Sequence, residues 1–152
     1  MPQPPLFIIP SSITETFYSG HHSEAAREAM RQATILFVEN LKPARRFVKA
    51  LLPNAVIDNY QWIAFDKHSE RYSVEEVQQA FGLKQPMALL SDAGYPSIGD
   101  PGFALVQMAH QAQVDLHPLP GACSFLMALS ASGLMGSNLL SMATCPMLNR
   151  SG

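Results

Sequence analysis

The sequence predicts an α/β protein built on a five-stranded, mostly parallel sheet with helices on both faces. Three observations carry this. Short apolar, β-branched runs recur along the chain, each too short for a helix. Between them lie segments with apolar residues at helical spacing and with recognisable start signals. One short apolar run, Met87 to Leu90, breaks into a loop rich in glycine and proline. In open α/β sheets, ligands sit outside the carboxyl ends of the strands.

Leu6–Ile9 is the first strand, stopped by Pro10 and a polar loop of Ser11, Ser12 and Thr14. This loop reads either as a plain strand-to-helix connection or as part of a ligand cleft. A helix follows from Ser23, its N-cap, through Gln32, with acidic residues in the first turn. His21 and His22 precede it and read as solvated. Ile35–Val38 is the second strand. Glu39 at its carboxyl end either orients a ligand or caps the next helix, Leu41 to Leu52. That helix places Lys42, Arg45, Arg46 and Lys49 on one face. The face reads as a solvated surface or as a phosphate contact. Val56–Tyr60 is expected to be the third strand, and the nearby Trp62 is either a packing residue or a base-stacking one.

Ser73 to Phe81 is an amphipathic helix, with Ser73 and Glu76 as a capping box and Gly82 as its stop. Met87–Ser91 is the fourth strand. Its loop carries Gly94, Pro96, Gly99, Pro101 and Gly102, and Asp100-Pro101 suits an N-cap and first helical position. By itself the loop is either a turn-rich connection or the ligand site. Phe103 to Gln113 is helical and Val114–Pro118 is the fifth strand. Pro120-Gly121 opens a last helix that ends at Gly133. Its free amino-terminal N–H groups suit a carboxylate or a ribose hydroxyl.

Composition narrows the function classes. At 47% apolar and 14% charged residues the chain can bury a core and carries little surface charge. A net charge of −2 exerts no global pull on nucleic acid, so any RNA contact is a local patch. Cys123 and Cys145 lack metal-ligand spacing, so no metal is expected and a reducing cytoplasm fits. There is no charged-then-apolar leader, and no apolar run approaches the ~20 residues of a membrane span.

Ser91-Asp92-Ala93-Gly94-x-Pro96-x-x-x-Asp100-Pro101-Gly102, then Pro118-Leu119-Pro120-Gly121, then Ala128-Leu129-Ser130-Ala131-Ser132-Gly133-Leu134 resembles the tetrapyrrole methylase superfamily. Within it the pattern is most similar to the ribosomal RNA small subunit methyltransferase I branch. The resemblance runs from about Leu6 to Leu134 and implies the N-terminal domain of that fold. It implies S-adenosylmethionine (SAM) as methyl donor, a ribose 2′-hydroxyl of RNA as acceptor, a cytoplasmic enzyme and a homodimer. The alternatives are a methylase acting on a tetrapyrrole or other small acceptor, and a non-catalytic α/β fragment. Cofactor contacts map onto Pro10, onto Ser91, Asp92, Ala93, Gly94 and Pro96, and onto Pro120, Gly121, Cys123 and Ser124. Asp92 and Glu39 are the candidates for a catalytic carboxylate. Two motifs depart from the family: Pro10-Ser11-Ser12 lacks its first-loop glycine, and only Glu39 of its Glu-Asp-Thr-Arg motif is present.

The end of the sequence carries a further expectation. In the resembled family the last helix leads into a strand reading roughly Phe-x-Phe-x-Gly-Phe/Tyr-Leu-Pro, which enters a second domain. Leu139 to Pro146 do not match. If these residues are encoded by TTG CTT TCC ATG GCT ACC TGC CCA, restoring one T after the first two bases gives TTT GCT TTC CAT GGC TAC CTG CCC. That reads Phe-Ala-Phe-His-Gly-Tyr-Leu-Pro. The expectation is a domain over residues 1–138, an out-of-frame, poorly ordered tail over 139–152, an absent second domain, and an inactive truncated chain.

Overall fold

A computed structural model describes residues 4–13, 22–65 and 73–136. Thr14, His21 and the tail 139–152 with Cys145 lie outside the described residues. The order is β1 (Pro5–Ile8), α1 (Glu24–Gln32), β2 (Ile35–Val38), α2 (Leu41–Leu51), β3 (Gln61–Ala64), α3 (Val74–Gly82), β4 (Met87–Leu90), α4 (Gly102–Gln111), β5 (Asp115–Pro118) and α5 (Ser124–Ala131). The five strands form one sheet in the order β3-β2-β4-β1-β5, with every pairing parallel.

The residue types explain the order. β2 and β4 are buried at every position, as strands covered on both faces must be. The edges, β3 and β5, carry Gln61 and the polar Asp115 and His117 and are largely exposed. Two apolar layers enclose the sheet. Phe7, Leu36, Val38, Ala88 and Leu90 meet α1 and α2 through Ala29, Met30, Phe47 and Val48. Leu6, Ile35, Phe37, Met87 and Leu89 meet α3 and α4 through Val77, Phe81, Leu105 and Ala109. Alternate side chains of each strand serve opposite layers, as the period of two requires.

This arrangement follows from crossover handedness. The chain steps in one direction along the sheet from β1 to β2 to β3 and then back through β4 to β5. Right-handed crossovers therefore put α1 and α2 on one face and α3 and α4 on the other. β4 lies between β2 and β1, whose chains leave over the opposite face from its own. The reversal opens a crevice at the carboxyl end of β4.

Four local expectations need correction. Residues expected as the third strand instead make a 3₁₀ turn at Ile57–Asn59, and pairing begins at Gln61, opposite Ile35. Asp58 and Asn59 favour turns, and Ile57 and Tyr60 pack on the α1–α2 layer from the turn rather than from a strand. Ser73 caps α3 by accepting from the Glu76 N–H at 3.0 Å, but its side-chain neighbour is Glu75, not Glu76. Gly82 is the last helical residue, and the left-handed position falls on Lys84 at φ 52°. Asp100 sits one residue before the α4 N-cap, Pro101, and instead accepts from the N–H groups of Ser97 and Gly102 at 2.9 and 2.7 Å. Ser23 caps α1 as expected, accepting from Ala26 N–H at 3.2 Å, and Gly133 follows α5 at φ 72°.

Candidate cofactor site

Four strand ends meet at the reversal. Beyond β1, Pro10 and Ser11 are buried. The Ser11 N–H donates to the Gly94 carbonyl at 2.8 Å, and its hydroxyl donates to the Ser91 carbonyl at 2.7 Å. A single antiparallel bridge between Ser11 and Gly94 results. Gly94 takes φ +74°, a left-handed conformation that glycine tolerates without strain. The Ser91 hydroxyl, itself buried, turns back on the carbonyls of Ala93 and Gly94 at 3.3 Å each. The β1 and β4 loops are therefore joined through main chain, leaving Asp92 and Ala93 exposed at the rim while Gly94 and Pro96 are buried.

Beyond β2, Glu39 is only 7% exposed and accepts from the Asp92 N–H at 3.3 Å. It does not cap α2, whose N-cap is Asn40 without a side-chain cap bond. Asn40 instead donates its amide N–H to the Asp92 carboxylate at 2.5 Å. Glu39 thus fixes the backbone of Asp92 and Asn40 fixes its side chain.

Beyond β5, Leu119 N–H donates to the Ile8 carbonyl at 3.0 Å, and the Tyr95 hydroxyl donates to the Leu119 carbonyl at 2.9 Å. Burial raises the Tyr95 phenol above its ordinary pKa. Gly121 lies against Pro10: a β-carbon there would come 2.5 Å from both Cβ and Cγ of the proline. Cys123 is buried at the N-cap of α5, whose amino end has no side-chain cap bond, and Ser124 is its first, exposed residue.

The predicted residues therefore come together in two groups. Pro10, Ser91, Asp92, Ala93, Gly94 and Pro96 form one, with Glu39 behind it. Pro120, Gly121, Cys123 and Ser124 form the other, and the two meet at the Pro10–Gly121 contact and through Tyr95. Ser11, Asn40 and Tyr95 are structural members of the site that motif matching does not single out. Ser11 and Asn40 share one detectable signal, a hydrogen-bonding side chain just past the carboxyl end of a strand. Ser97 Oγ, further along the same loop, is buried without a hydrogen-bond partner among the described residues.

A cavity of about 490 Å³ lies at the opposite, amino end of the sheet, lined by Arg27, Arg31, Leu52 and Tyr60 among others. Its arginines are engaged by Glu24 and Glu28. No group of metal-ligating side chains occurs among the described residues. No helix among them is long and apolar enough to cross a membrane.

The family model for tetrapyrrole (corrin/porphyrin) methylases matches residues 19–138. The ribosomal RNA small subunit methyltransferase I of Buchnera aphidicola is 33% identical over 135 residues, covering 87% of this chain and 44% of that protein. The protein of the same name from Vibrio cholerae is 34% identical over 131 residues, covering 86% and 43%. This chain thus spans less than half the length of these relatives. Among solved structures, uroporphyrin-III-C-methyltransferase from Thermus thermophilus superposes with a TM-score of 0.55 at 17% identity, over 87% of this chain and 54% of that one. A precorrin-6Y methylase from Archaeoglobus fulgidus gives 0.52 at 18% identity, over 86% and 59%. These two likenesses establish the fold. Together with the family match and the identities to the two methyltransferases, they show that the chain belongs to the tetrapyrrole (corrin/porphyrin) methylase family.

Proposed function

We propose that this chain is the SAM-binding domain of a methyltransferase, in its intact form a cytoplasmic enzyme that methylates a ribose 2′-hydroxyl of small-subunit ribosomal RNA. The observation that carries it is the convergence of the β1, β4 and β5 loops, held by main-chain bonds, at the point where the sheet reverses direction. The residues present fit the cofactor. Exposed main chain at Asp92–Ala93 and Pro120–Ala122 offers donors and acceptors for a purine and an amino-acid moiety. Gly94 and Gly121 keep side chains out of the space between the loops. Ser97 Oγ is a buried hydroxyl with bonding capacity to spare. RNA is favoured over a tetrapyrrole because the relatives above 30% identity carry the RNA methyltransferase name.

SAM supplies a methyl group already electrophilic on its sulfonium. What remains for the protein is to place an acceptor oxygen in line with it, which by itself accounts for much of the acceleration. A ribose hydroxyl is a poor nucleophile, so a carboxylate near it helps by taking its proton. Asp92 is the exposed carboxylate of the site and is oriented by Asn40. Glu39, buried and bonded to the Asp92 N–H, is a positioning residue. Calorimetry on the chain is expected to show saturable SAM binding weaker than about 1 μM, or about −8 kcal/mol, since the cleft of the family is completed by a second domain. Asp92→Ala and Gly94→Val should each remove it. A wild-type chain without saturable binding, or two variants with wild-type affinity, would overturn the proposal.

A homodimer belongs to the same proposal. α5 has no buried residue, and Phe125, Leu126 and Met127 are 40–55% exposed. Such a contiguous apolar surface is one that association covers. Light scattering at tens of micromolar should give more than the monomer mass of 16.6 kDa; a monomer there removes the dimer.

A further inference from the structure

α2 carries four of the ten lysines and arginines of the chain: Lys42, Arg45, Arg46 and Lys49. No acidic residue occurs from Asn40 to Ile57. The chain as a whole is net negative at −2, so positive charge has been segregated onto this element. At about 100° per residue the four fall within roughly a third of the helix circumference. They lie opposite the buried Ala44, Phe47, Val48 and Leu51, and all four are exposed. Among the described residues none of them has a carboxylate partner, whereas Arg27 and Arg31 of α1 do.

Two further features set this face apart from an ordinary solvated surface. The Arg45 guanidinium lies over the Trp62 ring of edge strand β3, 5.6 Å from its centroid. Trp62 is itself fixed by donating to the Ile57 carbonyl at 3.0 Å and by edge contact with Tyr60. A planar cation on a fixed indole gives a flat surface at the border of the charged stripe, suited to a nucleobase. The stripe also starts at the candidate cofactor site. Asn40, which holds the Asp92 carboxylate, is the residue before α2, and Lys42 is in its first turn. From Lys42 to Lys49 the axis runs about 10 Å, so the four cations lie along a path that a few successive phosphates of one strand can follow.

We infer that the exposed face of α2, with the Arg45–Trp62 pair at its edge, is the docking surface for the RNA strand that leads into the methyl-transfer site. The inference rests on RNA being the substrate, as proposed above, and adds where the strand lies. Insertion of α2 into a membrane does not fit, because its apolar side faces the core and is buried.

Trp62 is the only tryptophan of the chain, so its emission reports on this surface alone. Titration with a short single-stranded RNA of mixed sequence is expected to quench it to saturation. Affinity should fall with salt at a log–log slope of about −2 to −3, for three to four phosphates at about 0.7 each. Replacing Lys42, Arg45, Arg46 and Lys49 together by glutamine should weaken binding at least tenfold, read by anisotropy of labelled RNA, and flatten the slope. Trp62→Ala should cost about fivefold or more, and Trp62→Phe, which keeps a ring in place, should restore most of it. Three results would overturn the inference: no RNA binding by the wild-type chain, unchanged affinity in the glutamine variant, or poly-glutamate matching the RNA, which would mark an acidic polypeptide as the partner. SAM calorimetry on the same preparations separates the two proposals. Loss of SAM binding alone bears on the methyltransferase assignment, and loss of RNA binding alone bears on this surface.

Discussion

Phe37→Ala is expected to cost about 3–5 kcal/mol of folding stability, a large share of the 5–15 kcal/mol typical of a domain. Phe37 is fully buried in β2, the strand between β3 and β4. Its ring meets Phe81 of α3 edge-on, with centroids 6.0 Å apart. It therefore joins the sheet to the helix that carries the chain back across it. Truncation leaves a cavity under α3 against β2 and β4, which are paired on both sides and cannot close in. Urea denaturation should show the midpoint fall with little change in slope, the mark of lost stability rather than altered compactness. Phe81→Ala should be non-additive with it, since the two rings form one contact. A loss below about 1 kcal/mol for Phe37→Ala would show that the α3 layer repacks freely, contrary to the packing described.

Gly121→Val is expected to act on binding rather than on folding. The β-carbon would stand 2.5 Å from two atoms of Pro10, closer than side chains pack. Pro10 is buried at the end of β1 and cannot retreat, whereas the loop around Gly121 is exposed. The loop therefore moves, and with it Ala122 and the amino end of α5. The expected result is a SAM affinity lower by about a hundredfold or more, some 2.7 kcal/mol, with the denaturation midpoint close to wild type. Adding Pro10→Gly, which vacates the space, should recover part of the affinity. Wild-type binding by Gly121→Val would place the cofactor away from the β5 loop.

The fold was legible wherever one residue type had one physical use. Ile35–Val38 and Met87–Leu90 are apolar at every position and flanked by polar or turn-forming residues, and only a doubly covered strand suits that. Ser23 and Ser73 precede amphipathic runs and cap them. β3 was not legible, because an edge strand needs neither full burial nor a clean alternation; its boundary depends on pairing with β2, and Asp58–Asn59 divert the residues before it. The end of α3 was misplaced because Gly82 offers a stop that Lys84 supplies instead. In the site, the central loop could be read from its glycines and prolines. The support beneath it could not: the bonds from Glu39 and Asn40 to Asp92, and the contact of Pro10 with Gly121, join residues distant in sequence with no local pattern.

The position of β1 has a consequence for how the molecule is made. Its neighbours are β4 and β5, the last two strands of this sheet in chain order. Ser11 and the Ser91 carbonyl it binds are 80 residues apart. As the chain leaves the ribosome, β2 and β3 can pair soon after emerging, while Leu6, Phe7 and Ile8 wait without a partner until Met87–Leu89 have been made. Closing so long a loop carries an entropic cost before any contact offsets it, and folds dominated by such distant pairings form slowly. The crevice at the end of β4 is bordered by this late-inserted strand. It therefore comes into being only when the sheet closes around β1, and a nascent chain halted before β4 would hold three of the five strands but only the β1 and β2 borders of the site.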